Sequence, residues 1–406
     1  MKRYHALDSL RASMMLLGIW LHTVVGFSRE GGWPYKDAHP TDAYDWTLGL
    51  IHTFRMPLFF VMAGFFGALL WERGRGPFVR NRLNRILAPF ALFWTCLFPV
   101  VIWMAAYSKN WSHPGGARRA TSYILSGGFL RDLHPLHLWF LEYLLILYAI
   151  GYAVAALVEW AAGAPGIACV FATLNHWYRV VVANRWRWVI FAIPYAGALM
   201  MMRGGFLDDP PDFVPVPRIV FAYTIPFFFG WLLFRNRDLL DTFTRGAWKQ
   251  TLAGLAVVAV WVVTVGPVSR RPEYWYWVKP SLAIAGSLVL WCMVFGLTGL
   301  YLRHGSRESR LGRYLADASY WMYIMHMPVV MIFQMSLARL AWPAAVKVPI
   351  VVALAFPVLV VTYDVMVRAT WIGAFLNGRR YPRWFAARAP MALAATAAGL
   401  DASNGS

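Results

Sequence analysis

Charge is scarce in this chain, and acidic charge is scarcest. Only 14% of its 406 residues are charged, with 19 Asp and Glu against 38 Lys and Arg. Soluble domains carry about a quarter charged residues. A chain that is 59% hydrophobic, with mean hydropathy +0.49, cannot present a water-compatible surface throughout. Cysteine is scarce too. Cys96, Cys169 and Cys292 are scattered through apolar stretches, which gives neither a disulfide framework nor a metal-ligand spacing and suits small packing residues. There is no GxxxxGK[ST] phosphate loop, no serine elbow, no HExxH and no acidic metal cluster. Their absence argues against an NTP-driven pump, a serine hydrolase and a zinc protease. No internal repeat and no separate soluble domain is visible.

What is abundant is apolar sequence in long runs, and about 20 such residues cross a bilayer. Ten spans are read, at 5–27, 48–70, 86–107, 137–160, 188–203, 217–234, 250–268, 278–302, 313–338 and 345–367. The first lacks the short apolar core and small-residue cleavage site of a signal peptide, so it is expected to be retained. Ten spans bring most of the basic residues to one side. That side holds Lys2, Arg3 and Arg11, the loops with Arg73, Arg75, Arg80, Arg82 and Arg85, with Arg179, Arg185 and Arg187, with Arg235, Arg237, Arg245 and Lys249, and with Arg303, Arg307, Arg310 and Arg313. It also holds the tail with Arg368, Arg379, Arg380, Arg383 and Arg388. The positive-inside rule makes this side cytoplasmic, with both termini inside. The acidic loop Asp208, Asp209 and Asp212 falls outside. The basic excess is therefore topological. Its general partner is membrane lipid, not nucleic acid.

Segment 161–182 is apolar enough to raise an eleventh span, which would reverse the later loops; an interfacial or re-entrant helix preserves the charge pattern and is preferred. The fifth span is short, and Pro194 is expected to kink or break it. The 22 Trp and 19 Tyr suit two interfacial belts. The expected architecture is all-α and polytopic, with about ten transmembrane helices. Residues 1–385 form one domain and 386–406 an Ala-rich, disordered cytoplasmic tail.

Ionisable groups inside such spans are costly and mark functional paths. In LDSLRASMMLLGIWLHTVVGF (Leu7–Phe27), Arg11 and His22 lie eleven residues apart. At ~100° and ~1.5 Å per residue they share one face, about 16 Å apart along the axis. His22, expected well inside the span, is either a general base toward a hydroxyl or a buried histidine in an interhelical hydrogen bond. Arg11 binds a phosphate or carboxylate, or snorkels to the interface. In IHTFRMPLFFVMAGFF (Ile51–Phe66), His52 and Arg55 share a face and either hold an anionic acyl group or sugar hydroxyl, or belong to the belt. Pro57 and Gly64 favour a bend or close packing there. Arg82 and Arg85 stand one turn apart, as a phosphate-binding pair or a topological cluster. In HPLHLWFLEYLLILY, Glu142 lies below His134, His137 and Trp139. It orients an imidazole or pairs with Arg55. The His137–Glu142 spacing makes no metal site. His326, next to Pro328, is a second candidate for the polar interior. Asp364 is expected to pair with Arg368. The aromatic loops 28–47 and 108–136 either line a sugar-binding mouth or are ordinary belt and loop.

Together these segments resemble the acyltransferase 3 family of membrane acyltransferases. Its signature is a basic residue, ten positions, then His in the first span, as Arg11 and His22 here, and RxxR opening the third span, as Arg82-Leu-Asn-Arg85. FRMPLFFVMAGFF, HLWFLEYLL and SYWMYIMHMP resemble other recurring segments, with Ala63 where the family often has Ser. The ends, RYHALDSLRA and VRATWIGAFLNGRR, narrow the resemblance to members that succinylate osmoregulated periplasmic glucans. It implies an inner-membrane enzyme moving an acyl group from cytoplasmic acyl-CoA to a periplasmic glucan, with no metal. Its implied catalytic residues are His22 and Arg11. Arg82 and Arg85 would meet the CoA phosphates, with succinyl-CoA as the implied donor. Arg55, His52, Glu142, Trp139 and His326 are expected to face substrate. Arg55 would hold the succinyl carboxylate or the developing oxyanion. Homo-oligomers remain open. The rival readings are a transporter or flippase of glucan or lipid-linked sugar, and an acyltransferase acting on another envelope glycan.

Overall fold

Helices dominate because a backbone crossing hydrocarbon must satisfy its hydrogen bonds within its own segment. The computed structural model describes residues 4–110, 113–161, 163, 165–305 and 309–384. Lys2, Arg3, Arg307, Arg388 and the tail predicted at 386–406 lie outside the described residues. The α-helices are α1 His5–Val24, α2 Asp42–Trp71, α3 Arg75–Arg82, α4 Ala88–Asn110, α5 Gly116–Leu125, α6 Trp139–Ala161, α7 Pro165–Ala183, α8 Arg187–Met200, α9 Pro217–Arg235, α10 Asp241–Thr244, α11 Ala247–Thr264, α12 Trp275–His304, α13 Arg310–Leu337, α14 Ala344–Thr362 and α15 Trp371–Asn377. Leu83–Leu87 and Tyr363–Arg368 are π-helical. Among the described residues there is no strand.

A helix stands at each of the ten predicted spans. Among the described residues, seven helical segments are long and apolar enough to cross a membrane: Asp42–Trp71, Arg75–Asn110, Gly128–Ala161, Pro217–Arg235, Ala247–Thr264, Pro272–His304 and Ala344–Arg368. The α8 helix is apolar but short, and it runs unbroken through Pro194. Large apolar side chains such as Leu157, Trp160, Ile193, Phe221, Val263 and Ile284 point outward, as lipid-facing positions do.

Polar contacts sort the connections into two ends. At one, Glu159 binds Arg75 (2.8 Å) and the Trp71 indole (2.6 Å), Glu72 stands 3.7 Å from Arg237, and Arg179 pairs with Asp238 at 2.6 Å. Both ends of α7 therefore sit at this end of the bundle, and α7 does not traverse it. At the opposite end Arg270 bridges Asp42 and Asp45, each at 3.0 Å, and Lys347 meets Asp37 at 2.7 Å.

Small residues set the closest helix crossings. A Cβ on Gly64 of α2 would lie 1.8 Å from the Phe227 carbonyl oxygen, and one on Gly230 of α9 would lie 1.8 Å from that of Val61. The α2 and α9 backbones are thus in mutual contact. Of the two roles expected for Gly64, this is close packing.

Candidate active site

The end of the bundle carrying Arg270 and Asp37 opens into a cavity of about 1450 Å³. Its wall combines α1, α2, α4, α5, α11, α12 and α13 and the first residue of α6 with the loops before α2, α6, α9 and α12. His22, Arg55, His52 and Trp139 line it, together with His137, Trp33 and Tyr323. His326 packs behind His22. Glu142 and Arg11 do not line it.

His22 does not stand well inside its span. The α1 helix stops at Val24, so His22 occupies the last turn. What encloses it is the chain that follows. Residues 25–41 fold back over the helix end, and the Lys36 ammonium donates to the carbonyls of Val25 (2.9 Å), Ser28 (3.1 Å) and Glu30 (2.7 Å). These bonds hold the cation where the helix dipole favours it. Burial lowers the Lys36 pKa, opposed by Asp45 and Glu30.

The turn lays the Trp33 ring on His22 (centroids 5.3 Å apart, planes at 28°) and sends its indole N–H to Gln334 (2.8 Å). Gln334 in turn donates to the carbonyl of Thr23 at 2.8 Å. Farther along, the Asp37 carboxylate accepts from Lys347 of α14, from Tyr35 Oη and from the His39 N–H. Asp37 and Lys347 are both buried. Burial pushes the Asp37 carboxyl up, but these three hydrogen bonds outweigh it and hold it below its ordinary value. Burial and the Asp37 charge raise the Tyr35 phenol.

Arg55 enters from α2, 8% exposed, with its Nε unpartnered. It fits because residue 18 has no side chain: a Cβ there would come within 2.3 Å of the guanidinium. Gly18 is one turn before His22, so the guanidinium lies just below the imidazole. Of the two roles read for Glu142 from sequence, the pair with Arg55 is absent among the described ion pairs. Glu142 is partly buried, with Oε2 unpartnered. His52 donates Nε2–H to the Leu207 carbonyl at 3.0 Å, and Trp139 stacks on Tyr223 with centroids 5.9 Å apart.

Sequence spacing missed that three imidazoles meet. The rings of His22 and His326 are 4.7 Å apart, and those of His326 and His137 are 5.0 Å apart. Pro328 is the local cause of part of this. It has no N–H, so the carbonyl four residues earlier, on Ile324, loses its helical donor. That carbonyl accepts from His137 Nε2 at 3.0 Å, while Tyr323 Oη donates to the His137 carbonyl at 2.8 Å. A proline four residues after an interior carbonyl was the available signal. Among the described residues no group of three His, Cys, Asp or Glu has metal-holding geometry.

Arg11 stands apart from the cavity and pairs with Asp8 at 3.5 Å, with its side chain 39% exposed. Arg82 lies over the Tyr148 ring at 3.9 Å, and Arg85 donates to the Leu376 carbonyl. The π-helical turn Leu83–Leu87, which starts right after Arg82 and contains Arg85, departs from the simple one-turn spacing expected, a distortion frequent at functional sites. Asp364 stands 3.9 Å from Arg368 and accepts from the Trp384 N–H at 2.8 Å.

The chain is similar to the proteins named Glucans biosynthesis protein C of Salmonella paratyphi A and Salmonella agona. Each is 26% identical over 353 residues, covering 82% of this chain and 83% of theirs. No solved structure matches it. The acyltransferase 3 family, described as an acyltransferase domain, matches residues 4–364, a stretch that contains every helix lining the cavity. This all-helical membrane protein, with His22 and Arg55 in its cavity, belongs to that family of acyltransferases.

Proposed function

We propose that the protein transfers a succinyl group from succinyl-CoA to hydroxyls of a periplasmic glucan, as an inner-membrane enzyme with ten crossing helices and both termini in the cytoplasm. The observation that carries this reading is His22 facing a large cavity with the Arg55 guanidinium beside it. The cavity exceeds the ~300–1,000 Å³ of small-molecule sites, and Trp33, Trp139, Trp46 and Trp261 in its wall suit several sugar rings.

In the proposed step His22 removes the proton of an acceptor hydroxyl as its oxygen attacks the thioester carbonyl. The tetrahedral oxyanion forms beside Arg55. It collapses to the ester, the C–S bond breaks, and the His22 proton passes to the CoA sulfur. Arg55 also suits the far carboxylate of the acyl group. Arg82 and Arg85 lie at the opposite end of the bundle, where cytoplasmic CoA phosphates would approach, and Arg11 lies on the same half of α1.

Mass spectrometry of periplasmic glucans from a deletion strain carrying the intact gene or His22→Ala, at matched protein levels, tests this. Succinyl increments with the intact gene and none with the variant support it. Unmodified glucan in both overturns it. Loss of glucan itself in the deletion strain favours a transporter.

A further inference from the structure

His326 is nearly fully buried, 2% exposed, and outside the cavity wall. Its Nδ1 lies 2.6 Å from the carbonyl oxygen of Tyr323. A carbonyl only accepts, so Nδ1 carries the hydrogen. In a neutral imidazole the other nitrogen, Nε2, is then a bare acceptor. That Nε2 is buried and has no partner. His137 is pinned the same way: Nε2–H on the Ile324 carbonyl leaves Nδ1 bare and unpartnered. On the other side His22 presents a buried, unpartnered Nδ1, and its ring contacts that of His326. Buried polar atoms left unpaired in a native site call for an explanation. Two bare nitrogens would repel, whereas an N–H on one and a lone pair on the other attract.

We infer that His326 is a positioning residue that holds His22 in the Nδ1–H tautomer, so that the bare nitrogen of His22 is the Nε2 presented to the cavity. Among the described residues no carboxylate lies at hydrogen-bond distance from His22 Nδ1, and a neutral imidazole does the orienting that an acidic side chain does in other base-assisted sites. When His22 Nε2 takes a proton from the acceptor hydroxyl, the resulting imidazolium directs Nδ1–H at His326 Nε2. On return of the Nε2 proton to the CoA sulfur both rings are neutral again. The arrangement is fixed from behind, because the bond from His326 Nδ1 to Tyr323 sets which nitrogen His326 can offer.

The catalytic consequence rests on the proposed acyl transfer, but the tautomer is measurable without any substrate. The test is ¹⁵N NMR of the full-length protein in nanodiscs, ring-labelled at histidine, with His22 assigned by comparison with His22→Gln. The expected result is a neutral His22 protonated at Nδ1 in the wild type, with that preference lost in His326→Leu. An Nε2-protonated His22 in the wild type, or no change in His326→Leu, overturns the inference whether or not the protein transfers acyl groups. With succinyl-CoA and purified glucan as substrates, His326→Leu should lower kcat about 100-fold with KM within about twofold. His326→Gln, which can keep an acceptor near His22, should recover much of that loss. A large rise in KM at unchanged kcat would instead make His326 part of the cavity wall.

Discussion

Separating Asp37 from Lys347 should loosen the turn over His22, and the cost is asymmetric. The pair is 2.7 Å apart, with side chains 0% and 1% exposed. At an effective dielectric of about 20 the Coulomb attraction is about 6 kcal/mol, before the desolvation of both ions is subtracted. Breaking a buried pair by removing one partner costs about 3–5 kcal/mol. Lys347→Met leaves Asp37 with two donors, Tyr35 Oη and the His39 N–H, each at 3.0 Å. Asp37→Leu leaves the Lys347 ammonium with no other hydrogen bond among the described residues. Lys347→Met should therefore fall near the lower end of that range and Asp37→Leu near the upper. The double variant, which buries no lone charge, should lie closer to the wild type than either single change. Hydrogen–deuterium exchange of residues 26–41 in nanodiscs measures the opening free energy. Equal costs below about 0.5 kcal/mol for both single variants would refute the reasoning, because that is the behaviour of a solvent-exposed pair.

The same carboxyl sets a pH response. Asp37 is held below its ordinary value, so its contribution is fully present above the unfolded value of ~3.9 and is lost as pH falls through the folded one. Pepsin cleavage within 28–41 should accelerate only below about pH 4. Gly230→Val should destabilise the α2–α9 crossing by at least ~3 kcal/mol, since the added atoms meet backbone, and thermal unfolding in detergent reads the loss. Arg55→Ala should reduce succinyl transfer by about 10²–10³-fold. If it impairs transfer of a neutral acetyl group equally, Arg55 serves the oxyanion and not the distal carboxylate. Trp33→Ala should lower acyl transfer while sparing the fold, with near-ultraviolet circular dichroism and transfer rate measured together.

The helices were legible because apolar runs bounded by basic or Pro-rich loops have one structural solution in a membrane, and the segments predicted to span are helical. Legible too was the division of polar residues between two ends of the bundle. Helical phase put Arg11 and His22 on one face, but phase says nothing about what lies between them, and the structure leaves Arg11 with Asp8 while His22 turns to other helices. The end of α1 two residues past His22 is not legible from its apolar run, since the turn that follows is held by Lys36 bonds to the carbonyls of Val25, Ser28 and Glu30, contacts across a loop. Glu142 and Arg55 shared apparent depth and opposite charge, yet neither fixes the rotation of α6 about its axis. The His137–Glu142 spacing along one helix makes no metal site; the partners of His137 belong to α13, and pairings between distant segments are invisible to spacing.

The glycine contact between α2 and α9 bears on how the cavity can work. Helices with side chains between them can slide by repacking those side chains. Two backbones in direct contact have no such lubricant, so α2 and α9 move as one body or not at all. Arg55 rides on that body. A cycle that exposed the site alternately to the two membrane faces by parting these helices would have to break its tightest seam. A donor threading toward a stationary Arg55 and His22 would leave it intact, and the moving parts of catalysis would then be the substrates.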